Sequence, residues 1–173
     1  MTPDASTPPS AEPAEPRRAS VALTVERVHY DHPEAAELRA AQRAELDARY
    51  GRDDHEPGEV PTADSVPVFL LARDAAGTAL GCGGLRPLGD GEVEVKRMFV
   101  RPEARGSGVA TTLLRALEDE ARALGVTRLV LETGTSQPDA MRFYEREGYS
   151  RVPLFGAYIG SELSVCYARD LEG

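Results

Sequence analysis

The sequence predicts an α/β domain with a mixed, mostly antiparallel sheet, one parallel pair of strands and flanking helices. Between residues 66 and 100, three short apolar segments are separated by glycine-containing turns, which indicates an antiparallel meander. An apolar repeat at helical spacing then lies between the last of these strands and another short apolar segment. A strand, a helix and a strand joined by short connections form a right-handed unit in which the two strands are parallel.

The domain begins with a strand and a helix. Val21, Leu23 and Val25 alternate with other residues, which predicts a half-buried strand. Pro33 opens a helix that stops at Gly51. One side of this helix is formed by Leu38, Gln42, Leu46 and Tyr50. The meander strands that follow a polar loop are expected at 66–71, 78–86 and 92–100.

The second half of the chain carries the parallel unit and the closing strands. Apolar residues recur at helical spacing from Val109 to Leu124, and Gly125 ends that helix. The remaining elements are a strand at 128–133, a helix from Gln137–Pro138 to Gly148 and two closing strands, the last at 163–169.

Composition excludes several classes of protein. The 173 residues include 20 basic and 29 acidic side chains, which give a formal net charge of -9. General binding to nucleic acids or to anionic membranes needs clustered positive charge, so neither is expected. Cys82 and Cys166 form neither a disulfide framework nor a zinc-finger spacing. His29 and His32 lack a third ligand, so no metal site is expected.

Residues 1–18 differ in composition from the rest of the chain. They contain five of the 13 prolines and no branched aliphatic or aromatic residue, which predicts a disordered tail before a domain at 19–173. The N-terminus lacks the basic and apolar regions of a signal peptide, and no apolar stretch reaches the ~20 residues that span a bilayer. We therefore expect a cytoplasmic protein.

A glycine-rich turn at residues 101–110 precedes the long helix. Gly106 and Gly108 let the backbone approach a ligand, and free N–H groups at a helix start favour an anion. Four basic residues gather in this region, namely Lys96, Arg97, Arg101 and Arg105. The sequence thus predicts an anion-binding turn, although a turn that only reverses the chain would have the same glycines.

A dinucleotide-binding turn of a Rossmann fold is the main rival. Gly106, Gly108 and an acidic Glu132 fit it, but Thr111 stands where the third glycine belongs. The turn also follows an antiparallel meander, and too little chain remains for further parallel units. No lysine follows the glycines, which excludes a Walker A loop.

Three segments resemble the GNAT superfamily of N-acetyltransferases. Arg105-x-x-Gly108-x-Ala110 resembles its pyrophosphate motif, and the strand from Glu94 to Pro102 is similar to its fourth strand. Ala140-x-x-Phe143-Tyr144-x-x-x-Gly148-Tyr149 resembles a third signature. The resemblance covers residues 19–171 and implies a GNAT-like fold that uses acetyl-CoA as co-substrate. Gln137 and Tyr149 depart from the usual asparagine and phenylalanine.

The resemblance implies a set of cofactor contacts. The main chain of Met98 and Val100 would pair with the pantetheine amides, and an N–H near Phe99 would polarise the acetyl carbonyl. Gln137 would lie beside the pantetheine arm. The pyrophosphate would be held by N–H groups of Arg105, Gly106, Ser107, Gly108, Val109 and Ala110.

The resemblance also implies catalytic roles in transferring an acetyl group to a primary amine of a small molecule or peptide. Tyr144 would protonate the leaving thiolate. Glu94, four residues before Met98, is one candidate for the general base, and Glu132 is the second. Water relays also serve in this family. A non-catalytic CoA-binding module is the alternative function, and the sequence leaves open whether the protein is a homodimer.

Two segments are candidates for the acceptor side of the site. The family resemblance implies that the aromatic segment containing Phe155 and Tyr158 borders the acceptor. The loop at residues 51–65 is acidic, so it would attract cationic amines if it borders the cleft. A solvated loop without substrate contact is the alternative interpretation, and His55 within it has no assigned role.

Overall fold

Seven strands form one sheet in the order β1-β2-β3-β4-β5-β7-β6. The computed structural model describes residues 22–172, and the tail predicted at residues 1–18 lies outside them. The strands are β1 (Thr24–Val28), β2 (Val68–Arg73), β3 (Ala79–Gly89), β4 (Glu92–Val100), β5 (Arg128–Gly134), β6 (Ser150–Val152) and β7 (Ser164–Asp170). The helices are α1 (Pro33–Tyr50), α2 (Val109–Ala123) and α3 (Pro138–Arg146).

The pairing of the strands confirms the predicted fold class. β1 to β4 form the antiparallel meander. α2 connects β4 to β5, and these two strands pair in parallel. β7 lies antiparallel to β5 and separates it from β6. Element bounds agree with the expectations within a few residues. β2 begins at Val68, because Val66 N bonds to Thr62 O in a turn and Pro67 has no N–H to donate.

Helices cover both faces of the sheet. In β2, Val68 and Leu70 belong to the cluster that includes α2, whereas Phe69 and Leu71 pack with Leu38 of α1. A strand buried on both faces has no polar side, which explains the continuous apolar run of β2. No helix within residues 22–172 combines the length and apolar character that a membrane span requires.

A β-bulge interrupts β4 at Arg97. The register to β3 shifts between the pairs Gly84–Lys96 and Cys82–Phe99, and Arg97 has a φ of 56°. An extra residue at a bulge bends its strand. β4 pairs with β5 only through Val95, and beyond it the two strands diverge. This divergence opens a cleft between the C-terminal ends of β4 and β5, next to the start of α2.

Candidate functional site

The cleft has a volume of about 550 Å³ and is bounded by α1, the end of β4, the glycine-rich turn and α3. Its walls include most of the side chains and turn residues that the sequence assigned to a cofactor: Met98, Phe99, Val100, Arg105, Gly106, Gly108, Ala110 and Gln137. Ser107 and Val109 do not line it. The Ser107 hydroxyl donates to Ala104 O, and Val109 is 1% exposed in the core.

The turn before α2 presents backbone donors rather than side chains. Gly106 and Gly108 have φ values of 76° and 90°, and no atom lies within 4 Å of a Cβ placed on either residue. Gly108 is the N-cap of α2 and offers no side chain to cap it. The Arg105 N–H, which the sequence assigned to the pyrophosphate, donates instead to Pro102 O at 3.3 Å. The first intrahelical bond of α2 runs from Thr112 N to Gly108 O, so the N–H groups from Gly106 onwards remain available to an anion.

Two residues of α1 reach the cleft and hold its opposite wall. Gln42 Nε2 donates to Met98 O at 2.9 Å, and the Arg105 guanidinium donates to Glu45 at 2.7 Å and to Val100 O at 3.0 Å. Gln42 Oε1 is buried and has no hydrogen-bond partner in the described part of the chain. A buried acceptor without a donor is costly, so this oxygen suits a ligand N–H.

A smaller cavity of about 90 Å³ adjoins the cleft. Tyr144 and Gln42 line both spaces. The smaller cavity is polar, because its lining side chains include His55, Glu56, Lys96, Arg97 and Glu132. Two compartments meeting at one tyrosine are suited to a reaction between a large and a small substrate.

Tyr144 lies at the junction of the two compartments with its ring buried. The ring contacts Phe143, Tyr149 and Tyr167. Its hydroxyl has no hydrogen-bond partner among residues 22–172. Burial, and secondarily the negative charge of Glu132, raises the pKa of Tyr144. The phenol therefore keeps its proton at neutral pH.

Glu132 lies at the end of β5 and lines the smaller cavity. Burial raises the pKa of this carboxyl to about 7, although a hydrogen bond with Ser164 and the charge of Lys96 oppose the shift. A carboxyl that titrates near neutral pH can accept and release a proton.

Glu94 lies outside both cavities. Its side chain is fully buried, accepts from Arg86 at 2.5 and 3.0 Å, and accepts from the Tyr158 hydroxyl at 2.5 Å. Lys96 Nζ is 3.6 Å away and also donates to Tyr158 and Glu56. The structure thus brings Tyr144 and Glu132 to one cavity and places Glu94 in an enclosed ion-pair network.

Replacing Glu94 with glutamine is expected to lower the free energy of unfolding by about 3 kcal/mol, because Arg86 would lose its charge partner in a buried pair. Glu92 on the same strand is a matched control, since its pair with Arg128 is largely exposed and the change to glutamine costs at most about 1 kcal/mol. Urea unfolding measures both. Equal stability of the two variants would show that the network does not depend on the Glu94 charge.

The other sequence candidates have structural partners. Phe155 packs edge-on against Tyr158, and neither lines a cavity. His32 caps α1 by accepting from Glu34 N, and the His29 ring accepts from Asp31 N. Among the described residues, no group of three or more histidine, cysteine, aspartate or glutamate side chains could hold a metal ion.

The sequence did not indicate that α1 contributes Gln42 and Tyr50 to the site. Both were expected on one side of α1, and the polar Gln42 among the apolar residues of that side was the available signal. The loop at 51–65 reaches the smaller cavity through His55 and Glu56. Glu56 is neutralised by Lys96 and Arg97, so the loop is less acidic towards the cavity than its composition indicates.

Comparison with known proteins identifies the family of this chain. Residues 32–149 match the acetyltransferase (GNAT) family. The IAA acetyltransferase of Azospirillum brasilense is 42% identical over 104 residues, which are 60% of this chain and 67% of that protein. Two further curated relatives are matched over about half of their own length.

Solved structures share the fold. A Klebsiella pneumoniae protein assigned as an acyl-CoA N-acyltransferase is 31% identical, with a TM-score of 0.74 over 87% of this chain and 98% of that one. A GNAT family acetyltransferase from Elizabethkingia anophelis with acetyl-CoA bound is 19% identical, with a TM-score of 0.63 over 86% of this chain and 98% of that one. The chain therefore belongs to the acetyltransferase (GNAT) family and is an acyltransferase.

Proposed function

We propose that this acyltransferase moves the acetyl group of acetyl-CoA to a primary amine of a small molecule or peptide. The proposal rests on the Tyr144 hydroxyl, which has no hydrogen-bond partner among residues 22–172, on a residue that lines both the cleft and the smaller cavity. A proton donor at that junction suits the thiolate that leaves when the thioester is cleaved. It also favours turnover over a purely regulatory CoA-binding module.

The cleft residues fit acetyl-CoA. The N–H groups from Gly106 to Ala110 would hold the pyrophosphate, because the turn is open and uncapped at Gly108. The main chain of Met98 and Val100, unpaired with β5, would face the pantetheine amides, and the buried Gln42 Oε1 offers an acceptor beside them. The thioester supplies the activated acetyl group.

Side chains of the smaller cavity would accept and donate the protons of the reaction. The amine nitrogen attacks the thioester carbonyl, a C–N bond forms and the C–S bond breaks. We assign to Glu132 the proton lost from the attacking nitrogen, because its pKa of about 7 suits it to this role. Tyr144 would donate a proton to the sulfur, and an N–H near Phe99 would stabilise the carbonyl oxygen. Glu94 would keep Lys96 and Arg86 in place.

The pyrophosphate assignment is tested by replacing Gly108 with glutamate. We expect the affinity for acetyl-CoA in calorimetry to fall at least about tenfold, because a carboxylate would occupy the anion site. Gly125 is a matched control, since it also has positive φ (73°), open space around its Cβ and a place at the other end of α2. Gly125→Glu reproduces the backbone strain and the charge. Equal affinities of the two variants would exclude this turn as the pyrophosphate site.

The activity itself is tested by an acceptor screen. Primary amines are incubated with the protein and acetyl-CoA, and release of the free thiol of CoA is followed with a thiol reagent. The protein's own thiols would contribute little, because burial raises the pKa of Cys82 to about 12 and that of Cys166 to about 11. Amine-dependent thiol release is expected. Its absence with every amine would contradict the proposed function.

A further inference from the structure

His55 is an acceptor-side group that neither the sequence motifs nor the family signatures cover. It lies in the loop after α1 with its side chain 3% exposed, and it lines the smaller cavity. Its Nε2 is 2.8 Å from Asp47 Oδ1 on α1. The imidazole stacks on Tyr50 with the ring centroids 5.0 Å apart and an interplanar angle of 18°. The ring is thus held from two directions.

The contact with Asp47 determines which ring nitrogen carries a proton. A carboxylate accepts hydrogen bonds, so Nε2 is protonated and the lone pair of the neutral ring is on Nδ1. No residue between 22 and 172 forms a hydrogen bond to that Nδ1. Arg43 donates to Asp47 Oδ1 at 3.0 Å and fixes the carboxylate. An imidazole oriented in this way by a carboxylate is suited to accept a proton at the other nitrogen.

The proposed reaction needs such an acceptor. A primary amine is mostly an ammonium ion at neutral pH, and it must lose two protons to become an amide. One of them is accounted for by the thiol of CoA, through Glu132 and Tyr144. The other must be removed before attack, while the amine still lacks a lone pair. His55 lines the same cavity as Glu132 but belongs to the α1 side of it.

We propose that His55, oriented by Asp47, removes the first proton from the ammonium form of the acceptor. The N–H bond of the ammonium breaks, its electron pair stays on the amine nitrogen, and the proton binds Nδ1. The resulting imidazolium is stabilised by Asp47 and passes the proton to water. This role rests on the proposed acetyl transfer to an amine, and it assigns to the loop at 51–65 a function in activating the acceptor.

The charged surroundings are compatible with a transient imidazolium. On α1 the ring meets Asp47, whose other partner is Arg43, and Asp54 lies on the same loop. The remaining charged groups of the cavity are Glu56, Lys96, Arg97 and Glu132. Glu56 is paired with both neighbouring cations, so Asp47 is the carboxylate that contacts the ring.

A series of amines of one shape separates this role from a structural one. Ethylamine and its mono-, di- and trifluoro derivatives become less basic with each fluorine, so the last is largely neutral at pH 7 and needs no first deprotonation. We expect His55→Gln to lower kcat/KM at least about tenfold for ethylamine and less than about twofold for trifluoroethylamine. Asp47→Asn should follow the same trend. Glu132→Gln should slow all four amines alike.

A loop variant and the protonation of the ring test the same role independently. Glu59→Gln removes one exposed charge from the same loop and should leave every rate unchanged. Nitrogen-15 NMR of the imidazole rings should show protonated Nε2 and unprotonated Nδ1 for His55 at pH 8, with the signal identified by its loss in His55→Gln. A uniform loss across the series, or the opposite tautomer, would overturn the role of His55 alone. Absence of turnover with every amine would overturn the acetyl transfer on which it rests.

Discussion

Replacing Tyr144 with phenylalanine is expected to lower kcat by about 10²–10⁴-fold, the range typical of a lost general acid. The substitution keeps the ring and therefore its contacts with Phe143, Tyr149 and Tyr167. It removes only a hydroxyl that has no partner in the described part of the chain, so stability should change little. The affinity for acetyl-CoA should also be nearly unchanged, since the phenol is proposed to act only as the thiolate leaves.

Tyr149→Phe is the matched control for this experiment. Tyr149 belongs to the same aromatic cluster, with its ring centroid 5.8 Å from that of Tyr144, but its hydroxyl donates to the buried Glu118. The control variant should lose about 1–2 kcal/mol of stability and keep its kcat. Steady-state kinetics and thermal unfolding of both variants distinguish the two roles. A near-normal kcat for Tyr144→Phe would show that Tyr144 serves only as a packing residue of the hydrophobic core.

Glu132→Gln is expected to lower kcat/KM by about 10²-fold or more and to remove its dependence on a group with a pKa of about 7. In the wild type, the rate should fall below pH 7 as the carboxylate becomes protonated. With trifluoroethylamine, which needs no first deprotonation by His55, Glu132 is the proposed proton acceptor, and glutamine cannot replace it, so the variant should lack this acid limb. A variant that retains the limb with this amine would show that a group other than Glu132 accepts the proton.

The same substitution is expected to stabilise the protein at alkaline pH. Burial raises the folded-state pKa of Glu132 from 4.5 to about 7, so the folded state binds its proton more tightly than the unfolded state. Stability due to this group is therefore greatest below pH 4.5 and falls as the pH rises to 7. At pH 8 the free energy of unfolding of Glu132→Gln should be about 2 kcal/mol higher than that of the wild type. At pH 4 the two proteins should differ little.

Glu162→Gln provides the reference for this stability measurement, because Glu162 is exposed. Its removal should leave the pH dependence of urea unfolding unchanged. If Glu132→Gln were no more stable than the wild type at pH 8, the carboxylate would not be desolvated in the folded protein, and its assignment as a neutral-pH proton acceptor would lose its physical basis. A residue that costs stability and yields activity is typical of a catalytic site.

The sequence by itself determined the elements of the fold and the glycine-rich turn before α2. The alternation in β1, the two-sided apolar run of β2 and the helical repeat of α2 are local patterns, and each reflects which faces of an element are buried. The turn before α2 could also be predicted from its glycines, because Gly106 and Gly108 adopt backbone conformations that other residues rarely adopt. Motif spacing then sufficed to predict the family.

Only the tertiary structure decided which charged groups line the cavities. Glu94 and Glu132 both lie on apolar strands, and nothing local distinguishes them. Glu94 is enclosed because Arg86 of β3 and Tyr158 of the segment before β7 meet over it, whereas Glu132 lies beyond the point where β4 leaves β5. His55 is buried because Asp47 and Tyr50 of α1 meet its ring. Solvation and charge pairing depend on contacts between segments remote in sequence, and those contacts set the role of each side chain.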